Sequence, residues 1–538
     1  MTPSNSRASP VVFTGNWQLA TGNWELGTDN WQLVTDNSLG ILPIFISNAA
    51  ELTMPKSLFL TALLLVTLNT VADDLTRVMD EAQKPSNLET NLRFLTDEIG
   101  GRVPGTPAMQ RAIDWAVTAF KQAGAGQVHT ENFQIPATWA EGDTSISIVD
   151  PVQFPVRAVS VAWGPALDAR RHLRVVDVQN GSPENFQAAG NMEGALLLVH
   201  SKVLQTWDDL FDEYLRAGAI IAQAVRARAA AIAFTSTREH DILYRHINSP
   251  DGAIDRIPQL IVAREDAERM ARLLASGKPL FADVSIPNRT GPAITTANVI
   301  AELRGSEKPD EYVVLGAHLD SWELGTGALD NGCDAALVID ALRAIRASGI
   351  KPRRSIRFIL FSGEEQGLLG SRAYVAAHKN EMDNVAGVIV FDSGTGHVSG
   401  FSVGGRKDIV ATVGKLIEPL KEFQATELTT DATPGTDNFD FLLEGVPTLV
   451  ANNDTANYLV NYHATSDTYD KVDQAQLKRQ VAEAAEATLA IANADQRIGP
   501  RQTRAEIEQL MRDTHLDQQL KDLGMWSDWE TGKRGRTK

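Results

Sequence analysis

Residues 295–495 alternate short apolar runs with stretches whose apolar positions recur at helical spacing. The runs in "EYVVLGAHLD", "RSIRFILFSGEE" and "VAGVIVFDSG" each end near acidic or histidine residues, and helical patterns follow at 335–348, 367–380 and 408–420. This alternation predicts βαβ units and a mostly parallel sheet. Ligands bind at the carboxyl ends of the strands in such sheets, and the polar residues of this part of the chain lie at those ends.

The preceding residues predict two more units. Residues 74–135 have the pattern of an amphipathic helix, a Gly/Pro loop at 100–107, a second helix that ends near Gly124, and a strand. Between residues 150 and 290, short apolar runs alternate with helices, which indicates a separate small α/β unit. This unit contains no cluster of His, Asp or Glu residues, so we expect no catalytic role for it.

The composition fits a soluble globular protein with two domains or with one large insertion. The chain has 538 residues, of which 43% are hydrophobic and 22% charged, and its formal net charge is −18. This negative charge argues against nucleic acid or an anionic membrane as a partner. The single cysteine, Cys333, excludes an intramolecular disulfide, and we expect it to be a packing residue.

The first 53 residues have the pattern of translated upstream DNA. Residues 15–35 repeat a seven-residue unit, GNWQLAT, GNWELGT and DNWQLVT, whose Gly, Asn and Asp residues do not suit a coiled-coil heptad. Tandem copies of the nucleotide sequence GGCAACT encode the first unit, and single-base changes in some codons give the others. We therefore predict that synthesis of the protein proper begins at Met54.

Residues 54–72 have the pattern of a secretory signal peptide. Lys56 precedes an apolar stretch from Leu58 to Leu68, and small residues follow that stretch. The stretch is too short to span a bilayer as a mature helix, and a buried N-terminal helix is the alternative interpretation. We expect an exported protein, periplasmic or secreted, with no membrane span in the mature chain.

The candidate functional residues are carboxylates and imidazoles that follow predicted strands or lie in Gly-containing loops. They are His318, Asp320, Asp330, Glu364, Glu365, Asp392 and His463. A buried carboxylate without a partner carries a large desolvation cost, and clustered carboxylates raise one another's pKa. Two divalent cations at one edge of the sheet would remove both problems.

A symmetric pair of metal sites uses five of these residues. In this arrangement His318 and Asp392 bind one ion, His463 and Glu365 bind the other, and Asp330 bridges the two. Imidazole and carboxylate ligands favour zinc, with manganese or cobalt as substitutes. We therefore expect two Zn²⁺ per chain.

Glu364 is then free to act as the general base. Two metal ions about 3.5–4 Å apart can share a bridging water and lower its pKa towards 7. Glu364 is adjacent to a ligand and so is positioned to take the proton of that water and pass it to a leaving amine. We expect Asp320 to accept the other ring N–H of His318, and Asp467 to do the same for His463.

The ordered series "GAHLDSW", "GALDNG", "FSGEEQGLLGS", "VFDSG" and "YHATSDTYD" resembles the co-catalytic zinc exopeptidases related to bacterial leucyl aminopeptidase and plasma glutamate carboxypeptidase. The resemblance covers residues 80–495. It implies the same ligands and base, peptide substrates, and an α/β fold in which helices sandwich a mostly parallel sheet. It also implies that residues 150–292 form a protease-associated insert, α/β or β-rich, and it suggests a homodimer.

The same resemblance extends to the loop at 435–454. It implies that Asp437 and Asn438 face the substrate and hold its terminal amine or carbonyl. The alternative is an ordinary start of a helix with Thr436 or Asp437 as the N-cap, and the sequence favours neither. Asp334 replaces the small or amide residue expected of the relatives, and we expect it to lie behind the ligands.

These predictions divide the chain into six segments. They are the translated upstream residues 1–53, the signal peptide 54–72, the first catalytic part 73–149, the insert 150–292, the second catalytic part with the metal site 293–498, and a C-terminal helical extension 499–538. The weak apolar stripe of the extension fits either a docked helix or a frayed end.

The function we expect is that of a secreted or periplasmic dizinc exopeptidase, either an aminopeptidase or a dipeptidase/carboxypeptidase. Two alternatives use the same scaffold. A catalytically silent, receptor-like binding protein would lack ligands or the base, and this chain has all of them. A glutaminyl-cyclase-like acyltransferase would use one zinc, and both Asp330 and the large insert weigh against it.

Overall fold

The structure, a computed structural model, describes residues 74–537. The predictions of translated upstream DNA at 1–53 and of a signal peptide at 54–72 lie outside the described residues. Within the described part, no helix is both long enough and apolar enough to cross a bilayer.

Eighteen strands are present in the described part. In chain order they are β1 (Gln127–Ile135), β2 (Thr138–Ala140), β3 (Ser145–Asp150), β4 (Phe154–Val156), β5 (Ala158–Ser160), β6 (Leu167–Asp177), β7 (Leu196–Val199), β8 (Ala231–Thr235), β9 (Gln259–Val262), β10 (Phe281–Ile286), β11 (Arg289–Gly291), β12 (Ile294–Leu303), β13 (Lys308–His318), β14 (Arg354–Phe361), β15 (Val385–Val390), β16 (Val398–Ser402), β17 (Glu427–Thr429) and β18 (Thr448–Asn453).

The α-helices of residues 74–537 are numbered in the same way. They are α1 (74–83), α2 (Leu88–Arg93), α3 (Pro107–Gln122), α4 (Pro183–Ala188), α5 (Trp207–Arg226), α6 (Arg264–Ala275), α7 (Cys333–Ala347), α8 (Leu369–Ala377), α9 (Val410–Leu416), α10 (Phe439–Leu443), α11 (Tyr458–Asn461), α12 (Gln474–Asn493), α13 (Arg504–Asp513), α14 (Leu516–Asp522) and α15 (Trp526–Glu530).

The central sheet has eight strands in the order β1-β12-β14-β13-β15-β18-β16-β17. Its four middle strands, β14, β13, β15 and β18, are mutually parallel, whereas β12 and β16 join them antiparallel. Alternate residues of β13 face opposite layers: Val313 and Leu315 pack in the core that contains α7 and α12, and Val314 packs with Tyr374 of α8. The predicted α/β fold class is therefore confirmed, with antiparallel strands outside the parallel centre.

A second eight-stranded sheet lies between β2 and β11 in the chain, in the order β4-β3-β10-β6-β7-β8-β9-β5. From here on, the insert means residues 141–288, which lie between β2 and β11, rather than the predicted range 150–292. Its strands β6 to β9 are parallel, with α4 between β6 and β7, α5 between β7 and β8, and α6 after β9. It is therefore an α/β unit. At its base, β2 pairs with β11, with Trp139 opposite Thr290.

The C-terminal residues are docked. Ile507, Leu510 and Met511 of α13 are buried in one cluster with Leu520, Trp529 and the α10 residues Phe439, Leu442 and Leu443. Of the two predicted alternatives, the structure has the docked helix rather than the frayed end. The extension therefore packs against the helix that follows the loop containing Asp437.

Candidate metal centre

The strand-end residues meet at the carboxyl edge of the parallel centre of the main sheet. His318 is the last residue of β13, Glu364 and Glu365 follow β14, and Asp392 follows β15. Adjacent parallel strands end at the same edge of a sheet, which is why residues far apart in sequence come together here. Asp330 lies in the tight turn Ala328–Gly332 that precedes α7.

His463 reaches the same place from the turn after α11. It has a φ of 59°, in the left-handed region that a non-glycine residue seldom adopts. Its ring lies against the ring of Tyr462, with centroids 3.6 Å apart, and meets the edge of Trp322 at 5.9 Å.

Asp330 lies between the two histidines. Its Oδ1 is 3.2 Å from Nε2 of His318, and its Oδ2 is 3.2 Å from Nε2 of His463. The same nitrogen of His318 is 3.1 Å from Oδ1 of Asp392, and that of His463 is 2.8 Å from Oε2 of Glu365. The structure therefore brings together all five predicted ligands, in the pairs that the sequence predicts.

The donor atoms fit a metal ion. Ligand atoms of His318, Asp330 and Glu365 all lie within 4.8 Å of one another, and all three residues are buried. Within residues 74–537, Oδ2 of Asp330 and Oε1 of Glu365 are buried without a hydrogen-bond partner. Such atoms are costly unless a cation or a donor satisfies them, and a nitrogen and oxygen donor set is one that zinc accepts.

The electrostatics of the cluster lead to the same conclusion. Burial raises the pKa of Glu365 to about 7, with His463 opposing the rise and Asp330 adding to it. Burial alone would lower the pKa of His463, but Glu365 and Asp330 outweigh it and raise that pKa to about 9. Without a cation, these shifts favour protons on Glu365 and His463, whereas a bound cation would favour the ionised carboxylate and the neutral imidazole.

The predicted role of Asp320 is wrong in its detail. Nδ1 of His318 lies 3.0 Å from the main-chain oxygen of Asp320, whereas the carboxylate Oδ1 is 3.7 Å away. The carboxylate instead accepts hydrogen bonds from the main-chain N–H groups of Glu364 and Glu365, at 3.3 and 3.4 Å. The carboxylate thus lies beside the ring, but its hydrogen bonds go to the main chain after β14.

The predicted role of Asp467 is also wrong. Its carboxylate accepts the main-chain N–H groups of Ala328, Leu329 and Asp330, at 3.1, 2.7 and 3.2 Å. The Nδ1 atom of His463 lies instead 3.0 Å from the main-chain oxygen of Arg245. Asp467 therefore supports the turn that contains Asp330, and an insert residue supports His463.

Glu364 differs from its neighbour in its contacts. It is partly exposed, and its side chain makes no hydrogen bond to another group in the described part of the chain, whereas Glu365 is in contact with His463. Burial raises the pKa of Glu364 well above its usual value; His318 opposes this rise, and Asp392 and Glu365 add to it. A carboxyl group whose pKa is raised in this way accepts a proton more readily than an ordinary glutamate does.

Asp437 and Asn438 lie beside the site but are both buried. Burial raises the pKa of Asp437 to about 8, with Asp320 and Asp392 among the nearby charges. Asn438 donates from its Nδ2 to Oγ1 of Thr448 over 3.2 Å. Neither residue caps α10 with its side chain, and their predicted role in substrate binding stays a prediction.

Asp334 is buried behind the ligand positions. Its Oδ2 accepts the main-chain N–H of Ser393 at 3.3 Å, next to Asp392. Burial raises its pKa well above the usual value, and Asp392 raises it further. Cys333 is buried and donates its Sγ–H to the main-chain oxygen of Leu329, which fits a packing residue.

Sequence reasoning missed a buried arginine beneath the site. Arg102 donates to the main-chain oxygens of Leu319, Thr326 and Gly327, at 2.7, 2.8 and 2.8 Å. Burial lowers its pKa to about 10, so it stays charged at neutral pH. The sequence places Arg102 in the Gly/Pro loop at 100–107, but this position does not indicate which groups its guanidinium contacts.

The insert also contacts the site, although it contributes none of the predicted ligands and not the predicted base. Arg245 holds His463 through its main chain, and the hydroxyl of Tyr214 in α5 lies 2.9 Å from that of Tyr462. No spacing or motif predicts these contacts, because they join segments more than 200 residues apart.

An α/β sheet at whose edge two histidines and two further carboxylates lie around a shared aspartate is typical of a class of metal-dependent hydrolase. Residues 298–488, which include every residue of the cluster, match the sequence model of peptidase family M28. This part of the chain is similar to that family, and the prediction of a zinc-dependent metallopeptidase is confirmed at this level.

The chain is also similar to individual proteins and solved structures. The chain is 28% identical to carboxypeptidase Q of Rattus norvegicus over 404 residues, which cover 75% of this chain and 84% of that protein. A crystal structure of a peptidase M28 precursor from Shewanella amazonensis SB2B is similar with a TM-score of 0.71 and 25% identity, over 81% of this chain and 99% of that one. The structure of BSAP, a zinc aminopeptidase from Bacillus subtilis, shares the fold with a TM-score of 0.58 and 18% identity, over 74% and 93% of the two chains.

Proposed function

We propose that the protein is an exopeptidase that holds two zinc ions and hydrolyses peptide bonds at chain ends. The observation that supports this most is the pairing around Asp330, one of whose oxygens lies beside each histidine. Each of these histidines also has a second carboxylate within 3.1 Å, Asp392 for His318 and Glu365 for His463. One ion would leave half of this duplicated set without a cation, which disfavours the one-zinc acyltransferase alternative.

The residues that would hold the ions are those five. When bound, the zinc ions supply Lewis acidity that polarises the scissile carbonyl and lowers the pKa of water. The partly exposed Glu364 takes a proton from the attacking water and delivers it to the leaving amine. The carboxylate of Asp320 fixes the main chain at Glu364 and Glu365, so that the two side chains keep separate roles.

The substrates we propose are peptides with a free end. The relatives include both a carboxypeptidase and a zinc aminopeptidase, so the end that is recognised is part of the test. We also propose that the protein acts outside the cytoplasm, as a periplasmic or secreted enzyme, and that it forms a homodimer.

A panel of substrates tests this function. Purified protein is given aminoacyl-nitroanilides, free dipeptides, and dipeptides blocked at the amino or the carboxyl end, each with and without a chelator. We expect hydrolysis of at least one free-ended class, loss of that hydrolysis with the chelator, and its return with added zinc. Failure to hydrolyse any free-ended peptide, or full hydrolysis by metal-free protein, would overturn the proposal.

A further inference from the structure

The turn that contains His463 is paired with a segment of the insert. The main-chain N–H of Arg245 donates to the main-chain oxygen of His463 over 2.9 Å, and the N–H of Thr465 donates to that of Leu243 over 2.9 Å. Between these bonds, Tyr244 and Ala464 face each other in an antiparallel bridge. The segment 243–245 therefore lies beside 463–465 as a short piece of sheet.

This pairing also fixes the imidazole ring of His463. Its Nδ1 lies 3.0 Å from the main-chain oxygen of Arg245, an atom that can only accept a hydrogen bond. Nδ1 must therefore carry the proton in the neutral ring, which leaves the lone pair on Nε2, the atom that faces Asp330 and Glu365.

The segment 243–245 is in turn fixed by the side chain of Arg245, which is 1% exposed. Its guanidinium contacts Glu141 of the insert at 2.5 Å and Glu323 of the main part at 2.6 Å. It also donates to the main-chain oxygen of Ser160 and lies over the ring of Trp139 at 5.1 Å. One buried side chain thus joins the insert to the main part directly behind His463.

External support matters at this position because the backbone of His463 is strained. A φ of 59° is unfavourable for a histidine, so the turn needs contacts beyond its own residues to persist. Arg238 of the insert adds one such contact, from Nη2 to the main-chain oxygen of Tyr462 over 2.9 Å.

We infer that Arg245 is a positioning residue for His463, and that the insert sets the metal affinity at the His463 end of the centre. This inference rests on the proposed two-zinc site. It makes the insert part of the metal centre, although the insert contributes no ligand. Loss of the Arg245 side chain should weaken one metal ion and leave the ion at His318 and Asp392 in place.

The test is a titration of the metal-free full chain with Zn²⁺, followed by isothermal calorimetry, for Arg245→Met and Arg245→Lys. Supporting residues of this kind change metal affinity by about 10- to 100-fold. We expect Arg245→Met to lower the affinity for one of the two zinc ions by a factor within that range. Arg245→Lys keeps the charge, so we expect it to recover part of the lost affinity. Nitrogen-15 NMR of the histidine rings gives a readout without metal: the Nδ1–H signal of His463 should lose its hydrogen-bonded character in Arg245→Met.

Arg354→Met is the matched control. Arg354 is also a buried arginine paired with a glutamate, Glu311, but it lies at the start of β14, away from the site. We expect this variant to bind both equivalents as the wild type does. If Arg245→Met does not fold, Glu323→Gln takes its place, because Glu323 is 37% exposed and its change removes the ion pair that joins Arg245 to the main part.

The outcomes separate the two proposals. The inference is overturned if the folded Arg245→Met or Glu323→Gln variant binds two zinc ions with the affinities of the wild type. It is also overturned if the affinity falls equally at both sites. Wild-type protein that binds fewer than two equivalents overturns the proposed two-zinc function instead, and the NMR signal of His463 then still reports whether Arg245 positions the ring.

Discussion

The main-chain N–H of Glu364 donates to Oδ1 of Asp320 over 3.3 Å. The other carboxylate oxygen of Asp320 accepts the N–H of the next residue, Glu365. One carboxylate thus holds the main chain of two adjacent acidic residues at the end of β14. The side chain of Glu365 lies beside His463, whereas the side chain of Glu364 is partly exposed.

Glu364→Gln should abolish turnover and keep the metal. The amide has the same shape as the carboxylate but cannot accept a proton, and loss of a general base typically costs about 10²- to 10⁴-fold in kcat. Steady-state kinetics together with metal analysis of the same sample check this. A variant with wild-type kcat would show that another group moves the proton.

Glu365→Gln should have the opposite effect. It removes the negative charge 2.8 Å from Nε2 of His463, so we expect metal affinity to fall by more than about tenfold. Competition with a chromogenic chelator measures the change, with Glu364→Gln as the matched control. Equal metal affinity in the two variants would contradict the division of roles between these residues.

Asp467→Asn should loosen the turn that contains Asp330. The carboxylate accepts three main-chain N–H groups, and an amide would present its own N–H₂ to at least one of them. An unsatisfied buried donor costs about 1–3 kcal/mol, and we expect a loss of this size in the free energy of unfolding together with weaker metal binding. Urea unfolding of the metal-free protein measures the first effect. Asp470→Asn is the control, since Asp470 is exposed, and similar losses in both variants would argue against a specific role for Asp467.

Glu486→Gln should stabilise the protein, and more so at high pH. Glu486 in α12 is fully buried, its carboxylate oxygens have no hydrogen-bond partner within the described residues, and burial raises its pKa well above the usual value. The folded state therefore binds more protons than the unfolded state, so the free energy of unfolding of the wild type falls as pH rises from the unfolded towards the folded pKa.

Glutamine does not ionise, so the variant does not lose free energy of unfolding in this way. The loss in the wild type is about 1.4 kcal/mol for each unit by which the pKa of Glu486 differs between the folded and unfolded states. Urea unfolding of both metal-free proteins at pH 4.5 and pH 8 checks it, with the exposed Glu422→Gln as control. We expect the advantage of Glu486→Gln to be larger at pH 8. An advantage of the same size at both pH values would contradict a buried, ionisable Glu486.

The sequence was sufficient to predict the residues that meet at the sheet edge. Apolar runs mark the strands, and the residues that follow parallel strands share one edge whatever their distance along the chain. His318, Glu365 and Asp392 follow this rule directly. Asp330 and His463 lie in loops. Their place in the same centre is predicted by the need of clustered carboxylates and imidazoles for divalent cations, and not by their spacing in the chain.

The supporting contacts did not follow from the sequence. Proximity in the chain predicts that Asp320 and Asp467 contact histidine rings, but both carboxylates accept hydrogen bonds from main-chain N–H groups of neighbouring loops. The Arg245–His463 contact joins residues 218 positions apart. Such contacts depend on the path of each loop and on the placement of the insert, and neither apolar periodicity nor residue spacing encodes them.

Metal content is the most direct test of the central claim. Metal-free protein is reconstituted stepwise with zinc, and bound zinc per chain is measured by mass spectrometry beside the rate of peptide hydrolysis. We predict two bound ions per chain for the wild type and for Glu364→Gln, with hydrolysis only in the wild type. A wild-type protein that is fully active with one ion or none would contradict the account.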